Sequence, residues 1–233
     1  MVEVVLDVSA RMNARFDSGQ TKFEVARDAV LDMLDVFEGK EIAVAVRVVH
    51  QSSADPCQAS PENSLLVDFT HDYDLIRQEL QNLQPVTAPD APFVGVLNVT
   101  ANHLAVGGSS SQTLFVFTGG DDTCGESVEG FFEFLSIGST VRLKPFLIVL
   151  GSEQRPLWVD RLNVSLAYAE TVRQVQDSVR TFSNSLPPTA TPPPTDTVTP
   201  GQIATVTTEP PATSGAATSA LAATLPLAAT PAK

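Results

Sequence analysis

The sequence predicts an α/β fold, a doubly wound, mostly parallel six-stranded sheet with helices on both faces, followed by a disordered C-terminal tail. Up to Phe182, short apolar runs alternate with longer segments whose apolar residues recur at helical spacing, and such alternation implies right-handed crossovers between parallel strands. The short runs are apolar on both faces, as strands need to be when helices cover both sides of a sheet. Near Ser183 the composition changes abruptly to Pro, Thr, Ala and Ser. Residues 1–183 are therefore expected to form the domain and 184–233 the tail.

Val2 to Leu6 reads as the first buried strand. It runs straight into Asp7-Val8-Ser9-Ala10-Arg11-Met12, a polar loop at the carboxyl end of a strand, where open α/β sheets place their ligand sites. Thr21-Lys22-Phe23-Glu24 has the pattern of a capping box, and Phe23, Ala26, Val30, Leu34 and Phe37 continue as an amphipathic helix up to Gly39. Glu41 to His50 is the second strand, with Ile42, Val44, Val46 and Val48 on one face. Gln51 to Asn63 carries Asp55-Pro56 and Ser60-Pro61 and reads as a loop. Ser64 to Phe69 is a short edge strand. Asp72 to Leu83 is a second helix, and Phe93 to Val106 a third, stopped by Gly107-Gly108. Gln112 to Thr118 is an apolar strand entering the loop Thr118 to Ser127. Val128 to Leu135 reads as a helix, Val141 to Leu150 and Leu166 to Ala169 as strands, and Thr171 to Phe182 as the closing helix.

Composition excludes several functions. A formal net charge of −13 without any basic run argues against nucleic acid and anionic lipid as partners, since both are polyanions. No apolar run reaches the roughly 18 residues of a membrane span, so direct membrane insertion is not expected. No charged and apolar leader precedes Val2, so no signal peptide is expected at this start, and Met1 one residue before a strand suits a fragment or a misassigned start. Cys57 and Cys124 are either free thiols or a structural disulfide closing a long loop.

Other candidates carry less. His50, His71 and His103 lack metal-ligand spacing and read as surface residues. Gly107-Gly108 and Gly119-Gly120 lack the context of a phosphate loop. Asn98-Val99-Thr100 and Asn163-Val164-Ser165 match the glycosylation sequon but fall on packed elements. Asp121 and Asp122 form a carboxylate pair with no nucleophile or histidine beside it, which reads as a solvated loop.

Leu6-Asp7-Val8-Ser9-Ala10-Arg11-Met12 resembles the opening Asp-x-Ser-x-Ser motif of von Willebrand factor A domains. Thr21 to Ala26 is similar to the start of that family's first helix, and Phe117 to Gly125 to its fourth-strand loop, commonly Thr-Asp-Gly-x-x-Thr-Cys-Gly in bacterial members. The likeness extends from Val2 to about Phe182. It implies a metal-ion-dependent adhesion site of five oxygen ligands on three loops, suited to a hard cation such as Mg²⁺. Position by position that site is degenerate. Asp7 and Ser9 match the first two ligands, but Arg11 stands at the third. Ala91 falls where a threonine ligand belongs, with Thr87 four residues upstream as a substitute only if the loop is re-routed, and Gly119 replaces the fourth-strand aspartate. Either Arg11 folds over Asp7 and occupies the cation's place, or it points into solvent beside a weakened Mg²⁺ site. Bacterial relatives often pair cysteines at the positions of Cys57 and Cys124, so the resemblance favours the disulfide.

The leading expectation is a non-catalytic interaction or adhesion module without a cofactor. It is displayed extracellularly, on a bacterial cell or its envelope, and binds a protein or surface glycan through a rim of Asp7, Ser9, Arg11, Ala91, Gly119, Asp121 and Asp122. The alternatives are a metal-dependent adhesion domain using Asp7, Ser9, Thr87, Asp121 or Asp122, and a structural domain of a larger envelope protein. An enzyme is not expected, since nucleophile, base and orienting group cannot be assembled from these motifs. The sequence does not set the oligomeric state. The tail has no aromatic residue and only Asp196, Glu209 and Lys233 charged, too little apolar surface to offset chain entropy, and suits a spacer. Deleting this tail should leave the thermal midpoint of the domain unchanged in calorimetry, and a fall of several degrees would refute an unpacked tail.

Overall fold

The computed structural model describes residues 1–49, 57, 64–87, 91–106, 111–125, 142–151 and 165–186. The helix expected over Val128 to Leu135, most of the loop Gln51 to Asn63, and residues 187–233 of the tail lie outside these residues. The chain divides into two units, Met1–Thr191 and Pro192–Lys233, and every described residue falls in the first.

Six strands form one sheet: β1 (Val2–Asp7), β2 (Val44–Val49), β3 (Leu65–Thr70), β4 (Ser111–Thr118), β5 (Arg142–Leu150) and β6 (Ser165–Ala169). Their order is β3-β2-β1-β4-β5-β6, all neighbours being parallel except the antiparallel pair of β2 with the edge strand β3. The chain winds outward from β1 through β2 to β3, then returns to pair β4 on the other side of β1. The carboxyl ends of β1 and β4 therefore make the topological switch point, the place where open α/β sheets put their ligand sites.

Helices cover both faces: α1 (Lys22–Glu38), α2 (Tyr73–Asn82), α3 (Phe93–Val106) and α4 (Val172–Asn184). The capping box of α1 is complete: Thr21 Oγ1 accepts from Glu24 N–H at 3.1 Å, and Glu24 Oε2 accepts from Thr21 N–H at 2.7 Å. Alternation along β1 sends Val2, Val4 and Leu6 into a core shared with α1, α2 and α4. Val5 goes to a second core shared with α3. In the first core Phe37, Phe115, Phe146 and Phe182 form a continuous run, with successive centroids 6.0, 5.1 and 4.4 Å apart, tying α1, β4, β5 and α4 together. Leu186 is buried in the same core, and Lys40 Nζ donates to the carbonyls of Ser183 (3.1 Å) and Leu186 (2.9 Å) at the end of α4. Packing thus continues three residues past the boundary that composition suggests. Among the described residues no helix is long and apolar enough to cross a membrane.

The α3 face also encloses charge. Arg47 on β2 is 1% exposed and Glu3 on β1 is fully buried, with Arg47 Nε donating to Glu3 Oε1 at 2.5 Å and Arg47 Nη1 to Ser64 Oγ at 3.0 Å. Removing one partner of a buried pair leaves an uncompensated charge, whereas removing both does not. Arg47→Met should cost about 3 kcal/mol in urea denaturation, and combining it with Glu3→Gln should cost less than the two single costs summed. A double variant as unstable as the summed single variants would sink this account.

Candidate functional site

The site grows from the end of β1. Asp7 is its last residue and faces away from the first core, because Leu6 before it fills that core. Val8 continues the ladder through its N–H to Val49 O (3.2 Å), and its own carbonyl accepts from Val86 N–H (2.7 Å). The chain then tightens into a single 3₁₀ turn over Ala10–Asn13, closed by Met12 N–H donating to Ser9 O at 2.9 Å. That turn inserts Met12 into the core and swings the Arg11 side chain back over the strand end.

Asp7 is fully buried and its carboxylate is surrounded by donors. Oδ1 accepts from Ser9 N–H at 2.9 Å, and Oδ2 accepts from Gly119 N–H at 3.1 Å. The Thr118 hydroxyl lies 3.3 Å from Oδ2 and 2.8 Å from the Gly120 carbonyl, and accepts from Gly120 N–H at 3.1 Å. Arg11 Nε sits 3.6 Å from Asp7 Oδ2 and donates to Ser9 Oγ at 3.0 Å. Arg11 Nη1 donates to the Asp121 carbonyl. Arg11 is thus strung between the β1 loop and the β4 loop.

The two glycines of the β4 loop make room for it. A Cβ on Gly119 would come within 2.9 Å of both Arg11 Cγ and Met12 Sδ, and one on Gly120 within 2.8 Å of Arg11 Nη1. Real Cβ atoms essentially never approach that closely, so the arginine lies directly against the backbone of Gly119-Gly120.

The β4 loop is itself fastened to the start of α3. Asp122 Oδ2 accepts from Val94 N–H at 2.8 Å, which places a carboxylate on an otherwise unsatisfied donor at a helix N-terminus. Its Oδ1 accepts from Cys124 N–H (2.8 Å) and Gly125 N–H (2.7 Å). Ala91 and Thr123 exchange two bonds, Ala91 N–H to Thr123 Oγ1 at 2.7 Å and Thr123 N–H to Ala91 O at 3.2 Å. One residue further, Cys124 is joined by a disulfide to Cys57, 67 positions earlier. The pairing favoured by resemblance is present.

The structure therefore brings Asp7, Ser9, Arg11 and Gly119 into contact and sorts the other expected residues. Asp7, Ser9 and Ala91 are enclosed, while Arg11, Gly119, Asp121 and Asp122 are partly exposed. Thr87 is exposed, next to the Val86 that bonds Val8. Asp122, expected in a solvated loop, is instead taken up by three backbone donors; the signal for it was Asp122-Thr123-Cys124-Gly125, the spacing of an aspartate closing its own turn. His71 is exposed as expected and His50 lies outside the described residues, but His103 is not a simple surface residue. It is only 20% exposed and lies between Glu3 and Asp68. Thr100 of the first sequon is fully buried on α3.

As arranged, the oxygens of this corner are already engaged by protein donors. Ser9 Oγ accepts from a guanidinium, the Asp7 oxygens accept from backbone N–H groups, and a positive charge already stands 3.6 Å from the carboxylate. Among the described residues no cluster of three or more His, Cys, Asp or Glu side chains is placed to hold a metal.

The fold is that of a von Willebrand factor A domain. A von Willebrand factor type A protein from Catenulispora acidiphila superposes at 16% identity with a TM-score of 0.55, over 78% of this chain and 41% of that one. An aerotolerance-related membrane protein from Bacteroides fragilis matches at 15% identity and a TM-score of 0.58, over 79% and 98% of the two chains. The pilus adhesin SpaC from Lactobacillus rhamnosus GG matches at 11% identity and a TM-score of 0.55, over 78% and 30%. This chain thus spans less than half of the Catenulispora protein, and at these identities the likeness is one of fold. No family model and no curated protein matches the sequence.

The contact between Arg11 and Gly119 gives a direct test. Gly119→Ala should destabilise the domain by about 1–3 kcal/mol through overpacking, and Arg11→Ala in the same chain should recover part of that loss, since contacting sites are not additive. Strictly additive costs in chemical denaturation would mean that the two residues do not share the space.

Proposed function

We propose that this domain is a non-catalytic interaction module of the bacterial cell surface. It binds a protein or surface glycan through the loops at the carboxyl ends of β1 and β4, with Arg11 standing where the adhesion motif that the sequence resembles would place a cation. The observation that carries this reading is the seat of Arg11, 3.6 Å from a fully buried Asp7 whose oxygens already accept from Ser9 and Gly119. A site built this way offers a partner a fixed, charge-balanced surface. Binding to it then depends on the shape and polarity of Arg11, Gly119, Asp121 and Asp122 rather than on a partner carboxylate completing a metal shell.

Display outside the cell is supported by the Cys57–Cys124 disulfide, since such bonds persist in oxidising compartments. The same placement suits a fold shared with a pilus adhesin and with an aerotolerance-related membrane protein. A non-catalytic role is supported by the way the carboxylates of this corner are engaged: they accept from backbone donors, and among the described residues no histidine bonds to them.

Calorimetric titration of Mg²⁺ and Mn²⁺ into the pure chain should give no heat of binding at millimolar concentrations, and tighter binding overturns the metal-free reading. Partner capture should be unchanged by chelator and should fall in Arg11→Ala.

A further inference from the structure

The face under α3 holds a second group of charges that the strand-end site does not use. His103, near the end of α3, has both ring nitrogens against carboxylates: Nδ1 is 3.0 Å from Glu3 Oε2 on β1, and Nε2 is 3.1 Å from Asp68 Oδ1 on β3. Its ring stacks on Phe69 with centroids 4.7 Å apart. Arg47 of β2 grips the other oxygen of Glu3. Among the described residues, Glu3, Asp68 and Arg47 are therefore the charged groups facing His103 from β1, β3 and β2.

A neutral imidazole carries one N–H and one lone pair, so it can donate to only one of two carboxylates and must turn a lone pair toward the other. The imidazolium donates to both. The geometry thus selects the protonated ring. Among the described residues β3 pairs with β2 alone, through an antiparallel register interrupted between Val44 and Val46 and again between Val46 and Arg47, and most of its side chains are partly or fully exposed.

We propose that His103 is a pH-sensitive clamp which, as an imidazolium, fastens the end of α3 to the edge strand β3 and, once deprotonated, lets the two separate. The hydrogen bond to Glu3 raises the His103 pKa above its ordinary 6.5, against opposing contributions from burial and Arg47. A group whose folded value is raised holds its proton longer in the folded state. Its contribution is complete below about pH 6.5 and is lost as pH rises through the folded value. The clamp is thus closed below the His103 titration and released above it.

The test is hydrogen exchange on the full chain, with rates corrected for the intrinsic pH dependence, beside an NMR titration of the His103 ring. Protection of Leu65–Thr70 and of the last turn of α3 should fall by at least about threefold on passing through the titration, and the fall should vanish in His103→Gln. Should that variant not fold, Asp68→Asn, at a 72% exposed carboxylate, tests the same link and should bring the His103 titration closer to its ordinary value. Equal loss of protection in the wild-type chain and His103→Gln, or a His103 that titrates at or below 6.5, overturns the clamp.

Discussion

Asp7 sets the terms for the loops around it. A carboxylate enclosed at the end of a central strand costs several kcal/mol unless donors or a countercharge surround it. β1 is buried along its whole length, so water cannot provide them. The chain provides them locally by turning Ser9 N–H back onto the carboxylate, and at long range by bringing the Gly119 amide across from β4. Arg11 then adds the positive charge. The Gly119 donor presupposes the β1·β4 pairing, so the crossover and the local turn are satisfied together.

The same logic ties the corner to its surroundings in a chain of short links. Arg11 reaches the Asp121 carbonyl, the neighbouring Asp122 holds the first turn of α3, Thr123 holds Ala91, and Cys124 is bonded to Cys57. Four consecutive residues fasten the β4 loop to three segments: the β1 loop, the start of α3 and Cys57. Such a loop has few conformations left to lose when a partner binds, which is how preorganised surfaces keep the entropic cost of association low.

Most of the architecture was legible in the sequence, because period and punctuation agree with the tertiary structure. Thr21 and Glu24 marked the start of α1, and Phe93 to Val106 matched α3 from end to end. β3 was readable as an edge because its run is short and its apolar pattern weak. The corner was legible in its composition, since Asp7, Ser9, Arg11 and Gly119 stand at recognisable positions. The sequence could not decide where Arg11 points, because that depends on a 3₁₀ turn and on backbone left bare at Gly119 and Gly120. The ionic group of Glu3, Arg47 and His103 was also hidden. Arg47 and His103 are each the lone charge of their element and Glu3 sits among the valines of β1, so only strand register and the seat of α3 bring them together.

The absence of a Cβ at position 119 also constrains how this corner can vary. With Arg11 present, any side chain there would meet its Cγ and the buried Met12 Sδ at 2.9 Å, so an acidic residue is not accepted first. Position 11 would have to change beforehand, and the intermediate would bury Asp7 without its countercharge. The two positions are therefore locked in sequence as well as in space: exchange between this arrangement and an acid-bearing one is a two-step path over a less stable sequence, and the order of the steps is not free.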